Sequence, residues 1–407
     1  IVFAIMLSCI PLYRRVQAKL DGVTGAAQEN LSGVRVIRAF TREQTETESF
    51  DGRLDGLFAA QRFVGKLSAL LNPLTYVVIN LAIVAILKTG SVRVDAGVIT
   101  QGQLIALYNY MSQILVELIK FANLILNITK SVACAGRISQ VLETKSSMAD
   151  GQDALPDGSG SPALQFCEVS FRYPGAGADA LSDISFSAAP GQTIGVIGGT
   201  GAGKSTLANL IPRFYDATQG QVLVCGEDVR QLRLQALRPS IGVVPQKALL
   251  FSGTIRDNLR WGNAQASDED LWQALQDAQA DQVVRGKQGG LDAEVEPGGR
   301  NFSGGQRQRL TIARALVRRP AILILDDSAS ALDFATDAAL RKALAHLLWK
   351  PTVVLISQRV SSIRHADQIL VLDDGRLAGT GTHDELLQSC PVYQEICRSQ
   401  YKKEDAQ

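Results

Sequence analysis

Gly198-Gly199-Thr200-Gly201-Ala202-Gly203-Lys204-Ser205-Thr206 is the stretch that decides how this chain reads. It fits the phosphate-binding pattern G-x-x-x-x-G-K-[ST]. The six residues before it, Gln192 to Ile197, form a short apolar run that reads as a buried strand. Leu207, Ala208, Asn209, Leu210 and Ile211 after it have helical apolar spacing. Strand, glycine loop and helix are the setting this motif requires. The glycines let backbone N–H groups approach phosphate oxygens, and the new helix turns its positive dipole end toward the same anion. Lys204 then reaches the β- and γ-phosphates, and the Ser205 hydroxyl holds Mg²⁺.

The bulk numbers bound the rest. A chain of 407 residues, 46% hydrophobic and 20% charged, has room for two domains. A net charge of +1 gives no global field for nucleic acid. The cysteines (Cys9, Cys134, Cys167, Cys225, Cys390, Cys397) are scattered, with no C-x-x-C pair, and read as reduced thiols. The histidines are only His346, His365 and His383. The chain starts at Ile1 inside an apolar run, which reads as the C-terminal part of a longer polypeptide.

Working back from the loop, the first 145 residues have membrane patterning. Ile1 to Tyr13 is uncharged and is followed by Arg14 and Arg15. Leu67 to Leu87 carries no charge between Lys66 and Lys88; as a helix it rises ~30 Å, the depth of a bilayer core. Ala96 to Val116 is another uncharged run. Basic residues crowd residues 14–66 and are sparse in 88–95, so 14–66 is expected inside and 88–95 outside. Residues 14–66 read as two long helices with a bend near Gln28-Glu29-Asn30-Leu31-Ser32-Gly33. Glu117 and Lys120 read as an i,i+3 pair where a helix leaves the lipid, with a place on a substrate path as the alternative. That helix is expected to continue to about Thr144. Residues 146–162 have linker composition, 163–400 form a second domain, and 401–407 are a polar tail.

The second domain alternates short apolar runs with helical patterns, which predicts an α/β fold with a mostly parallel core. Tyr173, before Pro174, is placed to stack on an adenine face. Gln246 follows the strand Val243-Val244 and can reach Mg²⁺ or an attacking water. Ser303-Gly304-Gly305-Gln306 opens a second helix with free N–H groups for phosphate. The strand Ile322 to Leu325 ends in Asp326 and Asp327, and Asp326 suits Mg²⁺ through water. Asp333 follows shortly. The strand Val353 to Ile356 leads to Gln358.

Ser303-Gly304-Gly305-Gln306 lying between a phosphate loop and an aspartate strand resembles the signature of ABC-transporter ATPase domains. The resemblance covers nearly the whole chain. It implies an all-α transmembrane and intracellular helical part, 1–145, joined to an α/β phosphate-loop ATPase domain, 163–400, with antiparallel β and α-helical subdomains. Residues 1–145 are similar to the end of the fourth membrane helix, the second intracellular loop and helices five and six of an ABC exporter. Gln28, Glu29 and Asn30 correspond to the coupling helix that docks in the partner's ATPase domain. By this resemblance Gly198 to Thr206 and Tyr173 are expected to bind ATP, and Ser205, Gln246 and Asp326 to hold Mg²⁺. Ser303 to Gln306 act on the partner's ATP, and Asp333 belongs to the D-loop. The implied partners are a second half-transporter and a lipid bilayer, with the plasma membrane as location and no nucleic acid.

Two catalytic positions depart from the family pattern. The base position after the Mg²⁺ aspartate normally holds Glu and here holds Asp327. The switch position that normally holds His here holds Gln358. Pro297 also stands where homodimeric members usually have Glu. Together these resemble the degenerate-site subunit of a heterodimeric exporter. A homodimer with slow Asp327-based hydrolysis and an ATP-gated regulator are the alternatives. A soluble ABC ATPase is disfavoured by the two bilayer-length runs. The cargo expected is hydrophobic or amphipathic, because the membrane part offers few polar side chains: Asn72, Asn80, Gln103, Asn109, Gln113, Glu117, Asn123 and Asn127.

Overall fold

The structure is a computed structural model that describes the backbone of residues 2–144, 146, 148–156 and 160–404. The side chains of Asn72 and Asn123, the end of the tail and part of the linker lie outside the described residues. The chain divides into two compact units, Ile1–Lys145 and Ser146–Gln407.

The first unit is four long helices: α1 (Val2–Ala39), α2 (Glu43–Ala69), α3 (Leu71–Asp95) and α4 (Gln101–Glu143). The bend expected near Gln28–Gly33 does not exist. Helix α1 runs unbroken across Gln28, Glu29 and Asn30, and Ser32 donates back to Glu29 O at 2.9 Å within it. One glycine costs a helix interior only ~1 kcal/mol, and the good helix formers around Gly33 outweigh it. The chain reverses instead at Phe40-Thr41-Arg42, where Thr41 takes a φ of 52°. The expected outside connection at 88–95 is also helical, because Lys88, Arg93 and Asp95 do nothing to stop a helix. The reversal lies at Ala96 to Thr100, with Gly97 at φ 65° and a capping box between Thr100 and Gln103. Helix α4 ends at Glu143 with Thr144 as its C-cap, close to the end its pattern predicts.

Among the described residues of this unit, few side chains are buried. Ala26, Leu57, Val64 and Leu104 are, while Leu81, Val84, Val92 and Ile114 are each more than 60% exposed. A Cβ on Gly90 would meet Leu104 Cδ1 at 2.1 Å, so this glycine permits the close approach of α3 and α4. Among the described residues, one helical stretch, Glu43–Asp95, is long and apolar enough to cross a membrane, with mean hydropathy 2.1 and none of its apolar window buried. Such a surface needs lipid or protein against it. Lys120 Nζ lies 2.8 Å from Glu117 Oε1, the i,i+3 pair expected, and both side chains are exposed.

The second unit has two sheets. A four-stranded antiparallel sheet has the order β2-β1-β4-β5. Its strands are β1 (Leu164–Phe171), β2 (Leu181–Ala188), β4 (Gln219–Val224) and β5 (Glu227–Asp228). A six-stranded sheet has the order β12-β11-β3-β10-β9-β6. Its strands are β3 (Thr193–Gly198), β6 (Ile241–Val244), β9 (Ile322–Asp326), β10 (Thr352–Ile356), β11 (Gln368–Asp373) and β12 (Arg376–Gly381). All its pairings are parallel except β11 with β12. Its inner strands are apolar throughout because both faces are covered. Alternate residues then choose between two cores. Ile194, Val196, Ile324, Val354 and Ile356 pack toward the antiparallel sheet. Ile197, Leu323, Leu325, Val353 and Leu355 pack on the other side, among helical residues.

Short helices complete the unit: α5 (Lys204–Leu210), α6 (Leu234–Leu237), α7 (Ile255–Arg260), α8 (Asp268–Asp277), α9 (Asp281–Arg285) and α10 (Gly304–Leu316) come first. Then follow α11 (Phe334–Ala345), α12 (Val360–Ile363), α13 (His383–Ser389) and α14 (Pro391–Glu404). Helices α7 to α10, with the ribbon β7 (Gly253–Thr254) and β8 (Glu294–Val295), form the helical subdomain between β6 and β9. This is the expected α/β fold with antiparallel and helical subdomains.

Candidate nucleotide site

The parallel strands β3, β9 and β10 end side by side, and the cleft forms where they stop. Gly198 closes β3. A Cβ there would lie 2.2 Å from Leu372 O on β11, so no larger residue fits without moving a strand. Gly201 and Gly203 take φ of 86° and 94°, the left-handed region that glycine enters without steric cost. The loop therefore curls back tightly and delivers Lys204 at the start of α5. Lys204 is only 9% exposed, and its Nζ donates to Gly198 O at 2.9 Å and Gly199 O at 2.5 Å. Burial pushes its pKa down, opposed by the nearby Asp327 and Asp326 carboxylates.

The cleft has a volume of about 340 Å³. Tyr173, Thr200, Gly201, Gly203, Lys204, Ser205 and Thr206 line one part of it, and Gln246, Asp326, Asp327 and Gln358 the other. The sequence-predicted residues of the phosphate loop and of three strand ends therefore meet in one place. Burial pushes the Asp326 carboxyl above its ordinary range, while a hydrogen bond from Ser205 pulls it back. Asp327 turns into the left-handed region at φ 46°, its N–H donating to Ile356 O at 2.9 Å. Gln246 Nε2 donates to Asp327 Oδ2 at 3.3 Å. Tyr173 stands edge-on to Phe171 and Tyr215, its hydroxyl 3.1 Å from Thr206 Oγ1.

Ser205, Gln246 and Asp326 present oxygen donors on one cleft, which suits a hard divalent cation. Mg²⁺ binds through one or two carboxylates, waters and substrate phosphates rather than a protein cage, and the cleft offers the Asp326 and Asp327 carboxylates. Ser205, Gln246 and Asp326 would hold it, and it would neutralise charge on the phosphates.

Ser303, Gly304, Gly305 and Gln306 do not line this cleft. Ser303 is exposed and caps α10: its hydroxyl accepts from Gln306 N–H at 3.3 Å, while Ser303 N–H donates to Gln306 Oε1 at 3.0 Å. Gly304 borders a separate recess of about 640 Å³ with Gln246, Pro297, Gly298 and Ala331. Asp333 caps α11, accepting from Thr336 N–H at 2.9 Å. The cleft wall also includes Ala180, Ile356 and Ser357, which sequence reasoning did not single out. Ile356 ends the apolar run read as a strand and Ser357 stands next to Gln358, whereas Ala180 carried no sequence signal.

Comparison with known proteins agrees with this geometry. Residues 181–330 match the ABC transporter family, and residues 2–118 match the ABC transporter transmembrane region. An uncharacterised ABC transporter ATP-binding protein of Mycobacterium tuberculosis is 42% identical over 395 residues, covering 96% of this chain and 68% of that protein. The chain belongs to the ABC transporters. A multidrug efflux ATP-binding/permease protein of the same species is 36% identical over 378 residues, 92% of this transporter chain and 31% of that protein. The structure of a bacterial Atm1-family ABC exporter with ATP bound superposes with a TM-score of 0.86 at 28% identity, over 98% of this chain and 70% of that one. The transporter is thus an ABC exporter with fused membrane and ATPase regions, and its ATPase couples hydrolysis to transport. Such exporters work as dimers in a membrane.

Proposed function

We propose that this chain is the degenerate-site half of a heterodimeric exporter that moves a hydrophobic or amphipathic cargo across the plasma membrane as a multi-pass protein. One observation carries the reading. Lys204, Ser205, Gln246 and Asp326 are intact around a cleft in which Asp327 and Gln358 occupy the base and switch positions with atypical side chains. The groups that bind ATP and Mg²⁺ are retained, and those that activate water are altered. Asp327 holds its carboxylate one methylene, ~1.3 Å, farther back than Glu, and a 1 Å misplacement can cost on the order of 100-fold in rate. Gln358 can donate a hydrogen bond to the γ-phosphate but cannot hold a proton as imidazole does.

The exposed, capped signature supports the second half of the proposal. Ser303 and the N–H groups of Gly304 and Gly305 lie outside this chain's own cleft, so they serve the γ-phosphate bound by the partner. ATP binding then closes the dimer, and hydrolysis at the partner's phosphate loop opens it. The reversal at Phe40 to Arg42, rather than the helical stretch Gln28 to Asn30, is our candidate for passing that closure to the membrane helices, because the chain turns between α1 and α2 there. The cytoplasmic side is the one carrying residues 14–66. A multidrug efflux relative and the few polar side chains of the membrane part support an apolar cargo.

The test is ATPase activity of the purified chain alone and with its partner subunit. The pair is expected to turn over rapidly and the chain alone slowly. Activity of the chain alone equal to that of the pair overturns the proposal.

A further inference from the structure

Gln400 lies on α14, 42 residues beyond Gln358. Its side-chain amide bridges two backbone groups of the segment between β10 and α12. Nε2 donates to Gln358 O at 2.7 Å, and Oε1 accepts from Val360 N–H at 2.9 Å. Val360 is the first residue of α12, so its N–H has no intrahelical partner. An amide supplies one donor and one acceptor side by side in this way; an ionised carboxylate lacks the donor and an ammonium lacks the acceptor.

The same segment is braced from the opposite side. Ser357 Oγ accepts from Arg359 N–H at 3.0 Å. The Arg359 guanidinium lies 5.2 Å from the centre of the Phe334 ring and reaches Ser330 O at 3.5 Å. Ser330 and Phe334 flank Asp333. The four residues Ser357 to Val360 are therefore fixed between the D-loop on one side and the C-terminal helix on the other. Gln358 itself is exposed in the cleft, with its placement set by its backbone.

We propose that Gln400 is a positioning residue that holds the switch segment from α14, so that the rate of hydrolysis depends on the C-terminal helix. This rests on the reading that Gln358 faces the γ-phosphate. Loss of the amide frees Gln358 O and Val360 N–H, lets the switch side chain wander, and slows the chemical step without touching any group that binds ATP.

The experiment uses the full chain reconstituted in lipid nanodiscs, with Mg²⁺ and γ-labelled ATP in single turnover. Gln400→Ala is expected to slow hydrolysis roughly three- to tenfold, the worth of one or two neutral hydrogen bonds, with ATP affinity unchanged. Hydrogen exchange at the Val360 amide is expected to accelerate in the same variant. In a Gln358→Ala background, Gln400→Ala is expected to have no further effect. Gln400→Glu supplies a readout that a merely structural role would not move. The ionised carboxylate keeps the Val360 bond but faces Gln358 O without a donor; protonated, it restores both bonds. Its rate relative to wild type is therefore expected to rise as pH falls from about 8 toward 5.5, approaching the carboxyl range. Ser399→Ala, one residue away on α14, is the control expected to behave as wild type.

A Gln400→Ala rate equal to wild type, while Gln358→Ala is slow, overturns the inference and leaves the reading of the site intact. So does a Gln400→Glu defect that ignores pH. A Gln358→Ala rate equal to wild type overturns the reading of Gln358, and the inference falls with it.

Discussion

Replacing Asp327 with Glu advances the carboxylate by one methylene, ~1.3 Å, into the cleft where the γ-phosphate and its water are placed. The structure sets the size of the effect. Asp327 Oδ2 is held back by Gln246 Nε2 at 3.3 Å, and its backbone is anchored by the bond to Ile356 O. A general base must come within ~2.6–3.2 Å of the water it deprotonates, and the added methylene extends the reach of the carboxylate by about that margin. The left-handed backbone already carries ~1–2 kcal/mol of strain, so the exchange adds little to it. Hydrolysis at this site is expected to accelerate about 10- to 100-fold, equivalent to ~1.4–2.7 kcal/mol of barrier. ATP affinity should not change, because Lys204, Ser205 and the loop N–H groups are untouched. The assay is single-turnover hydrolysis of labelled ATP by the full chain in lipid, with the dissociation constant measured in parallel without Mg²⁺. A rate within twofold of wild type refutes the reasoning and moves the limitation to Gln358 or to dimer geometry.

Three further outcomes are expected. Asp326→Asn should raise the melting temperature of the nucleotide-free protein while weakening Mg²⁺ roughly 10- to 100-fold. The sign follows from burial: the folded carboxyl has its pKa raised, so between the unfolded and folded values the folded state binds more protons, and stability falls as pH rises through that window. At neutral pH the wild type carries that full penalty, which the neutral amide removes; thermal scans at pH 4 and pH 7 should show the two proteins converging at the lower pH. Ser303→Ala should remove the α10 cap, costing ~0.5–2 kcal/mol, and lower ATPase activity of the assembled dimer. It should leave photolabelling of this chain by an ATP analogue unchanged. Gly198→Ala should abolish nucleotide binding, since its Cβ would stand 2.2 Å from Leu372 O, and limited proteolysis should show a loosened β3–β11 pair.

The phosphate loop was legible because its glycines answer to backbone geometry that only glycine meets freely, as Gly201 and Gly203 show. Asp326 and Gln358 were legible because each follows an uninterrupted apolar run, and such runs end where a buried parallel strand leaves the sheet. The helix reversals were harder. Gly33 invites a break that the surrounding helix formers overrule, whereas Phe40-Thr41-Arg42 reverses the chain with neither glycine nor proline. The charges at Lys88, Arg93 and Asp95 marked the end of the apolar run, yet α3 outlasts that run because polarity does not terminate a helix. Gln400 carried no signal at all: a lone glutamine acquires its role only when α14 folds back against the switch segment. The order β2-β1-β4-β5 likewise depends on long-range pairing that local pattern does not encode.

The central claim is that the cleft around Lys204 keeps ATP and Mg²⁺ but hydrolyses slowly. The most direct measurement is the chemical state of the nucleotide bound there. The assembled transporter is incubated with Mg²⁺ and an α-labelled, photoreactive ATP analogue under turnover, then crosslinked, and the nucleotide attached to this chain is resolved. The account predicts mostly triphosphate on this chain and diphosphate on its partner. Diphosphate accumulating on this chain as fast as on the partner would contradict it.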